Sequence, residues 1–259
     1  MIVTTVRKNA DVLVEKAKDW NRVLSGQLVN RNDRSVQDLI NEYNEDVLVV
    51  GRDKVTLHSV NGGEPFFYHP NSAMFRVKQF LKTGYDPLVQ TAQLQRGMSF
   101  LDCTLGLGSD SLVAQLAVGE QGLVRGIEAN QALANLVRHG LQTWQEGQKE
   151  MLDAMKRIEV IHEDHFSYLA SQPSNSFDIV YFDPMFDTHI SDSSGIQGLK
   201  QFACHDDLDE HVIKEALRVA KERIVLKDHY LSKRFKRFGF EVIKRQHASF
   251  HYGWLDKKT

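Results

Sequence analysis

The chain of 259 residues carries 32 lysine and arginine side chains against 34 aspartate and glutamate side chains, and 42% of its residues are hydrophobic. This balance is typical of a folded globular protein and excludes a collagen-like chain, a disordered chain and a small disulfide-stapled scaffold. No apolar run approaches the roughly 18 residues of a membrane helix, and Arg7 and Lys8 precede any signal-peptide core. With only two cysteines, Cys103 and Cys204, we expect a cytoplasmic protein without disulfides or a membrane segment.

The first 95 residues predict a small α+β module, a candidate for substrate recognition. Ser35 followed by Asp38 marks the start of a helix, and two strand-like runs flank a turn at residues 51–54, as in a hairpin. In chain order the pattern predicts a strand, two helices, a hairpin and a helical stretch, over residues 2–7, 10–24, 36–43, 46–60 and 71–95.

From residue 96 to 259 the sequence predicts an α/β domain in which strands alternate with helices. Five near-continuous apolar runs read as buried parallel strands, which need helical crossover connections. The last two strand-like runs are separated by about one residue and predict an antiparallel C-terminal hairpin. The seven predicted strands cover residues 98–105, 122–129, 157–164, 177–184, 223–228, 240–246 and 248–255. We therefore predict a Rossmann-like sheet of five parallel strands plus a terminal hairpin.

A glycine turn follows the first of these parallel strands. The segment DCTLGLGSD leads from the strand end at Asp102 through Gly106 and Gly108 to a helix that begins near Ser109 and Asp110. Glycines let the backbone approach a ligand closely, and a helix start offers unpaired N–H groups. Asp102 is expected to organise the turn. A tight strand-to-helix turn without a ligand is the alternative interpretation.

Two further strand ends carry carboxylates. Glu128 ends the second strand and is placed to accept hydrogen bonds from ribose hydroxyls in an open α/β nucleotide site. Glu163 and Asp164 end the third strand, where an acid can accept from an adenine amino group. The neighbouring His165 is interpreted as a packing or surface histidine, and no ligand spacing predicts a metal site.

The fourth strand ends in Asp183, Pro184, Met185 and Phe186. Ligands of such sheets bind outside the carboxyl ends of the strands. Asp183 and the Pro184 carbonyl can accept from the N–H groups of a planar amine, and Phe186 can stack on its ring. Residues 187–205 form a long polar connection that suits a lid or binding loop, with a disordered segment as the alternative. Lys227 closes the fifth strand at the same edge, where it either contacts substrate or simply ends the strand.

Charge is unevenly distributed near the C-terminus. Residues 160–220 hold 3 basic and 11 acidic side chains, whereas residues 221–259 hold 11 basic and 4 acidic ones. The basic tail indicates either a solvated face or a surface that meets phosphate.

These elements, in this order, resemble the class I S-adenosylmethionine-dependent methyltransferases. DCTLGLGSD, IEAN, DPMF and the LKD strand end are similar, more narrowly, to the RsmJ-type small-subunit ribosomal RNA guanine methyltransferases, with the similarity carried by residues 98–230. Ser109, Asp187 and Asp228 depart from that family's pattern. The resemblance implies S-adenosylmethionine as cofactor, no metal, and the following cofactor contacts: Asp102, Thr104, Gly106, Gly108, Ser109, Asp110, Glu128, Ala129, Glu163, Asp164, His165 and Asp183.

The resemblance further implies methylation of an exocyclic amine of guanine in ribosomal RNA, with Asp183, Pro184 and Phe186 as catalytic residues. Three alternatives remain open from the sequence. They are a methyltransferase for a small molecule or protein, a nicotinamide-dependent oxidoreductase, and a non-catalytic RNA-binding protein. An amine-gripping DPMF motif argues against the oxidoreductase, because hydride transfer has no use for it. The sequence predicts no oligomeric state.

Overall fold

The computed structural model describes residues 1–8, 10–184, 202, 208–246 and 248–258, apart from the side chain of Ser72. Phe186 lies outside the described residues, as does the candidate lid, residues 187–205, apart from Phe202.

The N-terminal part forms a four-stranded sheet in the order β2-β1-β3-β4. Strand β1 is parallel to β2 and β3, while β3 and β4 form the predicted hairpin. The short strand β2 was not predicted, because two exposed residues carry no periodicity. The elements are β1 (Ile2–Thr5), α1 (Ala10–Leu24), β2 (Gln27–Leu28), α2 (Val36–Tyr43), β3 (Val47–Val50), β4 (Val55–His58), α3 (Asn71–Thr83) and α4 (Pro87–Ala92).

The helix starts in this part follow their local sequence signals. Ser35 and Asp38 form a reciprocal capping box at the start of α2, which confirms the predicted helix start. The prediction of one helical stretch to residue 95 is wrong, because the stretch is divided into α3 and α4. Gly84 ends α3 in a left-handed conformation, and Asp86 caps α4 with Pro87 in its first turn.

The remaining strands form one seven-stranded sheet in the order β10-β11-β9-β8-β5-β6-β7. Strands β5 to β9 are mutually parallel, and β10 and β11 form an antiparallel hairpin, as predicted. Strand β11 is also antiparallel to β9. The elements are β5 (Ser99–Asp102), α5 (Ser109–Val118), β6 (Leu123–Glu128), α6 (Gln131–Thr143), α7 (Lys149–Arg157), β7 (Glu159–His162), α8 (His165–Ser171), β8 (Phe177–Phe182), α9 (Glu210–Val219), β9 (Ala220–His229), α10 (Arg234–Phe238), β10 (Glu241–Ile243) and β11 (Phe250–Asp256).

Three helices and one boundary differ from the sequence prediction. Helices α7, α8 and α10 were not predicted, and all three are short. The sequence pattern of residues 208–222 predicts a single helix, but α9 ends at Val219 and β9 begins at Ala220. Ala220 is fully buried beside Phe177 of β8, so pairing within the sheet overrides the helical propensity of the AKE segment.

The two sheets share a hydrophobic core. One buried cluster contains Leu48 and Val50 of the small sheet together with Phe100 and Val113 of the large one. A second cluster covers the other face of the large sheet, under α8 and α9. The division into residues 1–95 and 96–259 stays a prediction. No helix within the described residues is long and apolar enough to cross a membrane.

Candidate active site

The site lies at the carboxyl ends of the parallel strands, where the strand order reverses. Strand β5 has β6 on one side and β8 on the other, so the chain leaves the sheet in opposite directions and a crevice opens between the strand ends. The glycine turn follows β5 at this point. Gly106 and Gly108 have φ values of 49° and 72°, which favour glycine, and Gly108 immediately precedes α5.

Asp102 organises the turn, as the sequence predicted. Its Oδ1 accepts from the backbone N of Thr104 at 3.0 Å and its Oδ2 accepts from the Ser111 hydroxyl at 2.7 Å. Burial, helped by the nearby carboxylate of Asp110, raises the pKa of Asp102 to about 7, against these two hydrogen bonds.

Glu128 lies at the end of β6 and is only partly buried. Its Oε1 accepts from the backbone N of Asn130 at 2.9 Å, and the carboxylate also accepts from the backbone N of Gly106. Burial raises its pKa, although both amide bonds oppose this. Glu128 thus joins the glycine turn to the start of α6. The carbonyl of Ala129 accepts from His162 Nε2 at 3.1 Å.

The predicted adenine-side residues form a separate group after β7. Asp164 caps α8, because its Oδ1 accepts from the backbone N of Ser167 at 2.9 Å. The backbone N of Glu163 donates to the Glu128 carbonyl at 3.2 Å, which connects this group to the end of β6. His165 lies edge-on to Phe182, with ring centroids 6.1 Å apart.

Asp183 follows β8 and is held from two directions. Its backbone N donates to Thr104 Oγ1 at 2.6 Å, and its Oδ2 accepts from Lys227 Nζ at 2.5 Å. The carboxylate keeps 23% of its surface exposed, whereas Pro184 is buried. Met185 and Phe186 lie outside the described residues. An acidic side chain at the strand end therefore keeps contact with solvent while its backbone is fixed.

A chain of ion pairs continues from Asp183 into the N-terminal part. Lys227 Nζ also contacts Asp110 Oδ2 at 3.1 Å, and Asp110 Oδ1 accepts from Arg76 Nη1 at 2.5 Å. Arg76 in turn grips Asp86 through Nε at 3.0 Å and Nη2 at 2.9 Å. The network joins α3, α4, α5, β8 and β9. It contains three carboxylates and two cations.

The two carboxylates that flank Lys227 shift in opposite directions. Burial would raise the pKa of Asp110, but Lys227 and Arg76 together hold it well below its usual range. Burial and the Asp110 charge raise the pKa of Asp183 to about 6, although Lys227 opposes them. Although burial alone would lower it, the two carboxylates hold the pKa of Lys227 above its usual value. Asp183 is therefore the more basic acceptor of the pair.

Sequence reasoning missed the N-terminal half of this network. Arg76 lies in the middle of α3 with no local motif around it. Asp86 did carry a signal, since an Asp followed by Pro is typical of a helix start. Asp110 was predicted as part of the cofactor turn, but the structure directs both of its carboxylate oxygens into ion pairs.

The arrangement fits a nucleoside-bearing cofactor. A turn with two glycines leaves space at the strand ends, and a partly exposed carboxylate, Glu128, stands at the neighbouring strand, where ribose hydroxyls need an acceptor. Among the described residues, no group of three or more His, Cys, Asp or Glu side chains is arranged to hold a metal ion.

Comparison with known proteins agrees with this geometry. Residues 35–239 match the family described as "Putative SAM-dependent methyltransferase". A Bacillus subtilis (strain 168) protein, "Uncharacterized protein YpiP", is 44% identical over 252 residues, which cover 97% of this chain and 98% of that protein. The ribosomal RNA small subunit methyltransferase J of Buchnera aphidicola subsp. Schizaphis graminum is 30% identical over 132 residues, about half of each chain: 50% of this one and 51% of that one.

A solved structure shows the same fold over nearly the whole chain. The SAM-dependent methyltransferase NGO1261 from Neisseria gonorrhoeae superposes with a TM-score of 0.61 at 17% identity, covering 99% of this chain and 96% of that one. Together with the family match, which includes the glycine turn, Glu128 and Asp183, this confirms the family predicted from the sequence. The chain belongs to the S-adenosylmethionine-dependent methyltransferases, and S-adenosylmethionine is its cofactor.

Proposed function

We propose that this methyltransferase modifies the exocyclic amine of a guanine in small-subunit ribosomal RNA. The observation that carries the proposal is Asp183, an acid fixed by its backbone to Thr104, paired to Lys227 and still partly exposed at the strand edge. A carboxylate in that position can accept a hydrogen bond from an amine without needing a metal.

The cofactor supplies an electrophilic methyl group on a sulfonium. We propose that the glycine turn accommodates its methionine part, that Glu128 and Ala129 contact the ribose, and that the group after β7 contacts the adenine. The full set of proposed cofactor residues is Asp102, Thr104, Gly106, Gly108, Ser109, Asp110, Glu128, Ala129, Glu163, Asp164, His165 and Asp183.

The proposed role of Asp183 and Pro184 is to orient the target amine. The Asp183 carboxylate and the Pro184 carbonyl accept its two N–H groups, so that the nitrogen lone pair faces the methyl group. Positioning of this kind lowers the barrier of an in-line displacement. The ionised form of Asp183 is required, because a protonated carboxyl loses acceptor capacity. Phe186 is proposed to stack on the base.

The RNA assignment rests on relatives and on charge. Two proteins named ribosomal RNA small subunit methyltransferase J, from Buchnera aphidicola and Saccharophagus degradans, each match at 30% identity over about half of this chain. The basic tail adds the exposed side chains of Lys233, Lys236 and Arg237 around α10. A base inside a duplex must be extruded before methylation, so a loop or unpaired segment is the expected target.

The test is methyl transfer to RNA from a strain that lacks the gene. The purified protein and methyl-labelled S-adenosylmethionine are incubated with its ribosomal RNA, and the nucleosides are separated by mass spectrometry. We expect label in N2-methylguanosine with the parent protein and none with the Asp183→Asn variant. Label in another nucleoside, or no label in the RNA, would reject the guanine assignment.

A further inference from the structure

Phe250 and Arg245 extend the active site along the start of β11. Lys227 Nζ, which contacts Asp183, lies 4.8 Å from the centroid of the Phe250 ring. The Arg245 guanidinium carbon lies 4.8 Å from the same ring and 5.9 Å from the Tyr252 ring. Two cations thus contact one aromatic ring beside the proposed amine acceptor.

The strand register places these groups on one face of the sheet. Tyr252 pairs opposite Lys227, and Phe250 pairs opposite His229. Directly opposed residues of an antiparallel pair point to the same face, as do residues two apart on one strand. The backbone N of Arg245 donates to His251 Nδ1 at 3.3 Å, which ties the segment before β11 to that strand.

Arg245 differs from Arg76 in that one of its guanidinium nitrogens, Nη1, has no acceptor among the described residues. Its Nη1 is buried and finds no hydrogen-bond partner among the residues that the structure describes. Arg76, by contrast, is bound to two carboxylates. A buried guanidinium N–H without an acceptor is costly, and a guanidinium is well suited to phosphate. Because Arg245 as a whole is only half-buried, an anionic ligand from outside the chain can supply the acceptor.

We propose that Arg245 binds a phosphate of the RNA strand next to the target nucleotide, held in place by Phe250 and Tyr252. The assignment rests on the proposed RNA substrate and names the part of the site that holds its backbone. The continuous contacts from Arg245 through Phe250 and Lys227 to Asp183 place this phosphate beside the amine acceptor.

Tyr230 supplies an exposed stacking surface near Phe250. Its side chain is 51% exposed, and its ring centroid lies 4.5 Å from that of His229, the residue opposite Phe250. Exposed aromatic rings beside cations are typical of single-strand RNA binding. A base adjacent to the bound phosphate stacks on Tyr230.

The experiment measures binding of a fluorescently labelled single-stranded RNA oligonucleotide to the full chain as salt is varied. Each single-strand phosphate neutralised contributes about 0.7 to the slope of log affinity against log salt. We expect Arg245→Gln to weaken binding by about tenfold at low salt and to reduce the slope by about 0.7. Arg245→Lys should keep the slope, because the charge stays.

Two further variants separate a phosphate contact from other effects. Tyr230→Ala should weaken binding by about tenfold with an unchanged slope, because stacking releases no counterions. The matched control is Arg157→Gln on α7, whose guanidinium pairs with Glu120 away from the site and should leave both quantities unchanged. Calorimetric affinity for S-adenosylmethionine and the unfolding midpoint check that each variant is folded.

The outcomes distinguish the two proposals. If the parent protein binds RNA with a salt slope and Arg245→Gln matches it, the Arg245 assignment is wrong and the RNA substrate stands. If the parent shows no salt-dependent RNA binding at all, both proposals are overturned. If Arg245→Gln is unfolded, Arg245→Ala and Arg245→Lys take its place. A slope of log affinity against log salt that is unchanged in Arg245→Ala, or lost in Arg245→Lys, also rejects the phosphate contact.

Discussion

Strands β8 and β9 are bridged by an aspartate–lysine pair at each end, and the two pairs behave differently. At the amino edge, Asp178 Oδ1 accepts from Lys221 Nζ at 2.9 Å, and its Oδ2 accepts from both the backbone N and the hydroxyl of Ser99 at 2.6 Å. At the carboxyl edge, Asp183 accepts from Lys227 at 2.5 Å. The same two residue types, at the two ends of the same pair of strands, thus stand in two environments.

The environment reverses the effect of the pair on the carboxylate. Although burial opposes it, hydrogen bonds from Lys221 and Ser99 lower the pKa of Asp178. Burial and Asp110 raise the pKa of Asp183 to about 6 despite Lys227. The lowered pKa of Asp178 stabilises the fold above the unfolded-state pKa, and this stability is lost as the pH falls through the folded-state pKa. The raised pKa of Asp183 means that its ionised form lowers the stability of the fold at neutral pH. We therefore interpret the pair at the amino edge as a stabilising contact and propose that the pair at the carboxyl edge takes part in the reaction.

The largest expected effect on stability comes from removing Arg76, which pairs with Asp86 and Asp110 at the carboxyl edge. Arg76→Met removes both hydrogen bonds to the buried Asp86 and one of the two cations of Asp110. Leaving buried carboxylates without their partner should cost about 3–5 kcal/mol in the free energy of unfolding. Denaturant unfolding measures it. The exposed pair of Arg157 with Glu120 gives the control, since Arg157→Met should cost within about 1 kcal/mol. Equal losses in the two variants would contradict the network.

A smaller effect is expected from the cofactor side of the same edge. Glu128→Gln keeps an oxygen for the Asn130 amide but removes the charge that ribose hydroxyls meet. Affinity for S-adenosylmethionine should fall by about 1.5–3 kcal/mol, measured by calorimetry. Glu159→Gln, in the neighbouring strand and paired with Arg125, should bind as the parent does. If the Glu128→Gln variant binds S-adenosylmethionine with unchanged affinity, the assignment of Glu128 to the cofactor site is wrong.

The smallest effect concerns pH. Methyl transfer should fall on acidification with an apparent pKa near 6, because Asp183 must be ionised to accept from the amine. Asp110→Asn removes the neighbouring negative charge and leaves Lys227 to Asp183, so the acid limb should move to lower pH. A limb that stays in place, or moves to higher pH, would show that Asp110 does not act on Asp183.

Much of the fold followed from local pattern. The buried strands β5, β6, β8 and β9 are near-continuous apolar runs, and the capping box at Ser35 set the start of α2. The short helices α7 and α8 carry too few turns for periodicity to reveal them. At Ala220, pairing with Phe177 decided the structure against helical propensity.

The candidate site was predictable where its residues end strands or belong to the glycine turn. Asp102, Glu128 and Asp183 were expected from that position, because parallel strands bring their carboxyl ends together. Arg76 lies in α3, 34 residues before its partner Asp110 in the sequence. No local sequence spacing could therefore predict that the two side chains pair. Which oxygens of Asp110 are occupied is likewise a tertiary property.

The comparison between the two edges is tested most directly by making the same substitution at both. Asp183→Asn and Asp178→Asn are compared in methyl-transfer rate and in the free energy of unfolding at neutral pH. We predict that Asp183→Asn loses about 100-fold or more in rate with equal or higher stability. Asp178→Asn should keep the parent rate and lose about 1–2 kcal/mol. An active Asp183→Asn variant, or a stability loss confined to it, would contradict the assignment of the carboxyl edge to catalysis.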